Sequence, residues 1–315
     1  MTDALDMNDE IPLPARRANR PITLVYRLEY LAARLLLGFF RLVGIDAASW
    51  IAGRLLRVAG PLIRPISRRG EENLRATFPD WNETRIRRTI AGVWENLGRT
   101  AGEFAHFDKL APYGPNARVE IVGAEHLRAP AEGGGPRLFV SGHFANWETM
   151  TIALTATGVD YGVIYRAANN PLVDELIIGM RAKAMTRLQI PKGKRGGRAL
   201  IEALSAGKSL AMLVDQKLND GIPAPFLGRE AMTAPAAARL SLKFSAPIVP
   251  VGLERLKGAR FRMLVGAPIA FTPSGDLNAD VRALTILVNQ HLERHILARP
   301  EQWLWLHRRW PKEAK

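Results

Sequence analysis

The sequence predicts an α/β protein, a largely parallel or mixed sheet flanked by helices and preceded by an amphipathic, membrane-associated helical segment. Three observations carry this. From about residue 114, apolar runs of strand length alternate with amphipathic runs of helix length. Polar clusters fall just after the apolar runs, at the carboxyl ends of strands, where the sites of such sheets gather. Upstream, residues 21–68 are rich in Leu, Ile and aromatics, yet arginines interrupt them.

The elements follow in order. Residues 1–20 are polar, first acidic and then basic, and read as a disordered tail with no secretory apolar run. In 21–68 no stretch of about 18 uncharged apolar residues occurs, so a simple spanning helix has little support. Arg27, Arg34 and Arg41 are seven apart and form one stripe on a helix, with Leu24, Leu28, Leu31, Leu35 and Phe39 on other faces. That suits a helix lying in a membrane interface, arginines at the headgroups. A soluble helix with a solvated Arg edge has the same pattern. The catalytic domain is expected over 69–315. Residues 69–110 have helical spacing, broken at Pro79-Asp80. Strands are expected at 118–122, 137–140, 161–165, 209–214, 247–253 and 260–265. Helices are expected at 146–157, 171–186, 197–205, 234–244 and 278–298; Pro171 suits a first turn and Gly207 a closing one.

Composition narrows the chemistry. The 315 residues contain no cysteine, which excludes disulfides, thiolate metal sites and cysteine nucleophiles. The net charge of +14 calls for an acidic partner: nucleic acid, anionic lipid or an acidic carrier protein. Charge alone does not choose, but no nucleic-acid-binding motif is recognisable. Gly207-Lys208-Ser209 is not a phosphate-binding loop. Glu202 stands where that motif needs glycine, and a helix precedes it where a strand should. A G-x-S-x-G elbow and an H-E-x-x-H zinc motif are both missing.

The stretch SGHFANWE (141–148) places His143 at a strand end and Glu148 five residues on. On a regular helix, residues five apart point about 140° apart. A loop before the helix could fold the ring back, letting Glu148 hold one ring nitrogen as N–H and leaving the other as a base. The alternative is an ordinary helix start, with Glu148 at the positive dipole end. Arg166 ends the next strand, where it could bind a phosphate or an oxyanion, or pair with Asp174 on the surface. Lys192, Lys194, Arg195 and Arg198 stand among three glycines before a helix, as either a polyanion site or a solvated loop. Asp215, at another strand end, could orient a cation or a substrate hydroxyl. The tryptophans of PEQWLWLHRRW could sit at a membrane interface or close the core.

Taken together and in this order, the blocks GHFANWE, YRAANNPLVDELI, PKGKRGGRALIEAL, LVDQKLNDGIPAPFLGREAMTAPAAARL, APIVPVGLER and PEQWLWLHRRW resemble the late acyltransferases of lipid A biosynthesis, the lauroyl/myristoyl transferase family. NLRATFPDW fits too, and the resemblance covers roughly residues 20–312. The H-x-x-x-x-E element is shared with glycerolipid acyltransferases; the tryptophan-rich ending with the DQ and PF-LG blocks is far more specific. The family's N-terminal anchoring helix is here cut by arginines, which favours attachment over spanning. The resemblance implies a glycerolipid-acyltransferase-like fold at the cytoplasmic face of the inner membrane. It implies transfer of a fatty acyl chain from acyl–acyl carrier protein to a hydroxyacyl hydroxyl of a Kdo-bearing lipid A precursor. His143 would be the base and Glu148 its partner, with Arg166 at phosphate or oxyanion and Asp215 in support. Lys192, Lys194, Arg195 and Arg198 would meet phosphates or the carrier. The donor thioester is already activated, so no metal or cofactor is implied. Another glycolipid or a lysophospholipid as acceptor would use the same chemistry, and a non-enzymatic basic membrane or nucleic-acid-binding protein would explain the charge alone.

Overall fold

The computed structural model describes residues 21–311; the expected tail at 1–20 lies outside them. Four helices come first. α1 (Leu24–Val43) starts where the Thr23 hydroxyl accepts from the Tyr26 N–H at 3.2 Å, and stops at Gly44, whose φ of 78° suits only glycine well. α2 (Ile45–Ala59), α3 (Arg64–Thr77) and α4 (Glu83–Glu103) follow, with Pro79-Asp80 between the last two. Asn82 caps α4 by accepting from the Arg85 N–H at 2.9 Å. α2 and α4 touch at backbone distance through small residues. A Cβ on Gly98 would lie 2.3 Å from the Ala52 carbonyl oxygen, and one on Gly102 2.4 Å from that of Ala48. The expected boundary after residue 68 falls inside α3.

The α/β part then runs β1 (Val119–Val122), α5 (Ala124–Arg128), β2 (Leu138–Ser141), α6 (Glu148–Ala156), β3 (Tyr161–Tyr165), α7 (Pro171–Ala184) and β4 (Gln189–Pro191). It continues α8 (Lys194–Ser205), β5 (Ser209–Leu213), β6 (Lys217–Phe226), β7 (Arg229–Thr233), α9 (Ala236–Phe244), β8 (Ile248–Arg255), β9 (Phe261–Val265) and α10 (Leu277–Ala298). Seven strands form one mixed sheet in the order β1-β9-β8-β2-β5-β3-β4. β8, β2, β5, β3 and β4 run parallel, while β9 and β1 run the other way. β2 lies centrally and is buried on both faces, which is why LFV is a continuous apolar run rather than an alternating one. The carboxyl ends of the five parallel strands share one end of the sheet.

Each strand expected from the sequence is present, and three further ones are. β4 is only three residues long, and β6 carries Gly221, Pro223 and Pro225, a loop's composition. β6 is stabilised by pairing antiparallel with β7 as a separate hairpin. α8 starts at Lys194, three residues before the expected start, because its glycines hide the first turn.

The membrane reading of the C-terminal tryptophans is overturned. Trp303, Trp305 and Trp310 are buried and pack together, the first two edge-on at 4.7 Å between ring centroids. Each indole N–H finds an internal acceptor, as a buried Trp requires: Asp215 Oδ2, the Pro300 carbonyl and the Phe226 carbonyl.

The close α2–α4 contact yields a stability test. Gly102→Ala drives a methyl into the Ala48 carbonyl and must displace α2, at a cost of about 1–3 kcal/mol. A thermal or urea melt reads this directly, and an unchanged midpoint would mean α2 is not seated as described.

Candidate active site

Four of the parallel strands deliver polar residues to one place. β2 ends at Ser141, whose hydroxyl donates to the Val251 carbonyl at 2.7 Å, and the chain turns at Gly142. A Cβ there would meet the Phe144 ring at 2.9 Å and Asp215 Oδ2 at 3.2 Å, so glycine is what admits the carboxylate. The His143 backbone N–H donates to Asp215 Oδ2 at 2.8 Å, and His143 Nδ1 lies 2.7 Å from Asp215 Oδ1. Trp303 Nε1–H donates to Oδ2 at 2.8 Å. Asp215 has no solvent exposure. Burial by itself would raise its pKa; the charge and hydrogen bonds of His143 outweigh this and hold it well below the usual carboxylate range. An ionised carboxylate only accepts, so Nδ1 carries a proton; in the neutral ring Nε2 is then the nitrogen with the lone pair. Gln216 Nε2 stands 3.5 Å from that nitrogen. This is an imidazole held in one orientation by a buried carboxylate.

The carboxylate that the His143 ring meets is therefore Asp215, not Glu148. Glu148 opens α6 and pairs with Arg181 of α7, with Arg181 Nε at 3.1 Å from Oε2 and Nη2 on Oε1. The Trp147 indole also donates to Glu148, at 3.2 Å, and lies edge-on to the His143 ring at 5.1 Å. Glu148 thus reaches His143 only through Trp147. The reason is the path of the loop: it leaves β2, passes Ala145 at φ 44°, and enters α6 with the Glu148 side chain toward α7. A left-handed alanine costs about 1–3 kcal/mol and needs outside support. Ala145 N–H donates to the Gln302 carbonyl at 2.9 Å, and its carbonyl accepts from Asn96 Nδ2 at 3.0 Å and Thr100 Oγ1 at 2.8 Å. Asn146 Nδ2 donates to the buried Glu103, which pairs with Arg255 at the end of β8.

The other expected residues divide. Arg166 is exposed at the end of β3 and lies 3.5 Å from Asn169 Oδ1; Asp174 instead accepts from the Ala168 N–H. Lys192 follows β4, its N–H donating to the Tyr165 carbonyl at 2.9 Å. Lys192 is exposed, yet the protein around its ammonium lowers its pKa; Asp215 opposes this and Arg166 adds to it. Arg166, Lys192, Asp215 and His143 thus share one end of the sheet. Arg198 is exposed on α8 in a pair with Glu202. Lys194 and Arg195 open α8, and their side chains lie outside the described residues. Trp303 was visible only as part of a tryptophan cluster, and Arg181 carried no signal at all. His307 is a further half-buried group near the site. Its Nδ1–H donates to the Leu304 carbonyl, its Nε2 is buried without a partner, and burial lowers its pKa.

A family model described as bacterial lipid A biosynthesis acyltransferase matches residues 18–312. The chain belongs to that family. A lipid A biosynthesis lauroyltransferase of Escherichia coli (strain K12) is 26% identical over 246 residues, 75% of this chain and 76% of the relative. A lipid A biosynthesis palmitoleoyltransferase of the same strain is 23% identical over 264 residues, 79% and 81% of the two chains. A lipid A biosynthesis acyltransferase of Haemophilus influenzae is 22% identical over 241 residues, 76% and 73%. This lipid A acyltransferase is thus an acyl-transferring enzyme whose sheet presents a histidine–aspartate pair.

The geometry separates the two acids. Asp215→Asn lets an amide face Nδ1 and loses the tautomer, so the rate of acyl transfer should fall about 10³–10⁴-fold with the melting curve little changed. Glu148→Gln leaves the Arg181 guanidinium unpaired, and should lower stability by about 3 kcal/mol alongside any loss of rate. Rates and melts measured on both purified variants check this; equal rate losses without destabilisation of Glu148→Gln would reverse the assignment.

Proposed function

We propose that the enzyme moves a fatty acyl chain from acyl–acyl carrier protein onto a hydroxyacyl hydroxyl of a Kdo-bearing lipid A precursor, with His143 as general base. The observation that carries this is the His143–Asp215 pair at the carboxyl end of β2, its Nε2 free to take a proton. The acceptor hydroxyl attacks the thioester carbonyl while Nε2 removes its proton. Asp215 stabilises the imidazolium that forms. The tetrahedral centre collapses, the C–S bond breaks, and the proton passes from His143 to the departing thiolate. Arg166 and Lys192, on neighbouring strand ends, meet phosphate or the developing oxyanion. A basic chain suits both an acidic carrier and a phosphorylated acceptor.

The same reading puts α1 and α2 in the membrane interface, at the cytoplasmic face of the inner membrane. At about 100° per residue, Leu24, Leu28, Leu31, Leu35 and Leu42 share one face of α1, and all are 53–87% exposed. The opposite face, with Tyr26, Ala33, Leu37 and Phe40, packs on the protein. A helix that turns its most apolar face outward has a partner other than water. Arg27 and Arg34 flank the apolar face, as snorkelling cations do. Arg41 is spent within the fold, pairing with Asp108 through both terminal nitrogens, so the expected headgroup stripe has two members rather than three. No helix among the described residues is long and apolar enough to cross a membrane.

The test is mass spectrometry of lipid A from cells with the gene, without it, and with His143→Ala. Loss of one acyl mass in the second and third strains is expected, and the missing mass names the chain. Unchanged lipid A without the gene would sink the acceptor assignment. Full transfer by His143→Ala would sink the mechanism.

A further inference from the structure

A second recess lies well away from His143. It is an open cavity of about 810 Å³ where the α1–α2 turn meets the amino ends of β1 and β9. β1 and β9 run opposite to β2, so this cavity faces the same end of the sheet as His143. Three strand spacings, roughly 14 Å, separate β1 from β2 laterally.

The lining has two characters. Arg41, Lys109, Arg118 and Arg260 bring four positive charges, and Asp46 and Asp108 bring two negative ones. Arg41 pairs with Asp108 and Arg118 with Asp46, each through two nitrogens. That leaves an excess of two positive charges, on Lys109 and Arg260. Lys109 comes no closer than 3.9 Å to Asp108, and the Arg260 Nη1–H donates to the Ala117 carbonyl. Both side chains are exposed. The other character is apolar. Leu42, 87% exposed at the end of the outward apolar face of α1, lines the same cavity. A cavity with excess positive charge on one side, and continuous on the other with a membrane-seeking face, is complementary to a phosphate ester carrying acyl chains.

We propose that this cavity binds the headgroup phosphate of an anionic phospholipid of the membrane on which α1 lies, at a site distinct from the reacting centre. Lys109 and Arg260 supply the charge, and Leu42 meets the first methylenes of the chains. The proposal rests on the interfacial reading of α1, and the following experiment tests the two apart. The full chain is titrated with dihexanoyl phosphatidylglycerol below its micelle concentration, and separately with inorganic phosphate, following Tm. The short-chain lipid should raise the Tm of the natural protein. It should fail to do so for Lys109→Gln/Arg260→Gln, and still do so for Arg187→Gln/Lys243→Gln, two exposed cations outside the cavity lining. No shift in the natural protein, or an equal shift in the Lys109→Gln/Arg260→Gln variant, overturns the site. An equal shift with inorganic phosphate alone overturns the lipid assignment. In sedimentation with vesicles of phosphatidylcholine and phosphatidylglycerol, the cavity variant should bind about tenfold more weakly than the control variant, and an equal loss in both overturns a specific site. Leu28→Asp/Leu35→Asp should lose vesicle binding and keep the short-chain lipid shift. Unimpaired vesicle binding by that variant would overturn the interfacial reading while leaving the cavity to be judged on its Tm shift.

Discussion

The arrangement around His143 depends on one buried charge. Asp215 has no solvent contact, so its carboxylate must be satisfied from within, and three donors on two other segments do this: the His143 backbone, the His143 ring and the Trp303 indole. The same oxygens therefore join the end of β5, the end of β2 and the C-terminal segment. Removing any one of the three leaves a buried ion one donor short in a dry place. The C-terminal tryptophans belong to this arrangement, since Trp303 both fills the core and completes the shell of Asp215.

Around that charge lies a second buried layer, whose task is to hold a strained loop. Ala145 is left-handed, and Asn96, Thr100 and Gln302 hold its peptide groups in place. Glu103 joins Ser49 of α2, Asn146 of the loop and Arg255 of β8. α2, which follows the helix with the exposed apolar face, is thus bonded through Glu103 to the loop that follows His143. Asn170, in the loop before α7, likewise donates to the Tyr26 carbonyl and to Glu29 of α1. Such ties fix the position of the site relative to the exposed apolar face of α1.

The basic charge falls into separate groups. Arg166 and Lys192 stand beside the base, and Lys109 and Arg260 stand about three strands away. Several other arginines are paired with carboxylates of the fold: Arg41 with Asp108 on the surface, and Arg57 with Glu95, Arg181 with Glu148 and Arg255 with Glu103 further in. Each such pair already cancels within the net charge of +14, so what a partner meets depends on where the unpaired cations stand.

The sequence by itself determined the strand–helix alternation, the amphipathic character of α1, and the location of His143, Arg166 and Asp215 at strand ends; that Lys192 also follows a strand, β4, was decided by the fold. These follow from local periodicity and from the rule that α/β sheets gather polar groups at one end. It could not determine which carboxylate serves His143. Glu148 is five residues away along the chain and Asp215 is 72. The choice depends on β2 and β5 being neighbours in register, Val140 opposite Met212 and Ser141 opposite Leu213. That pairing is long-range and leaves no trace in local spacing. The partner of Glu148 on α7 and the Trp303 bond to Asp215 were decided in the same way, by contacts between segments far apart in sequence. Proximity in the chain suggested one acid; the adjacency of two parallel strands supplied another.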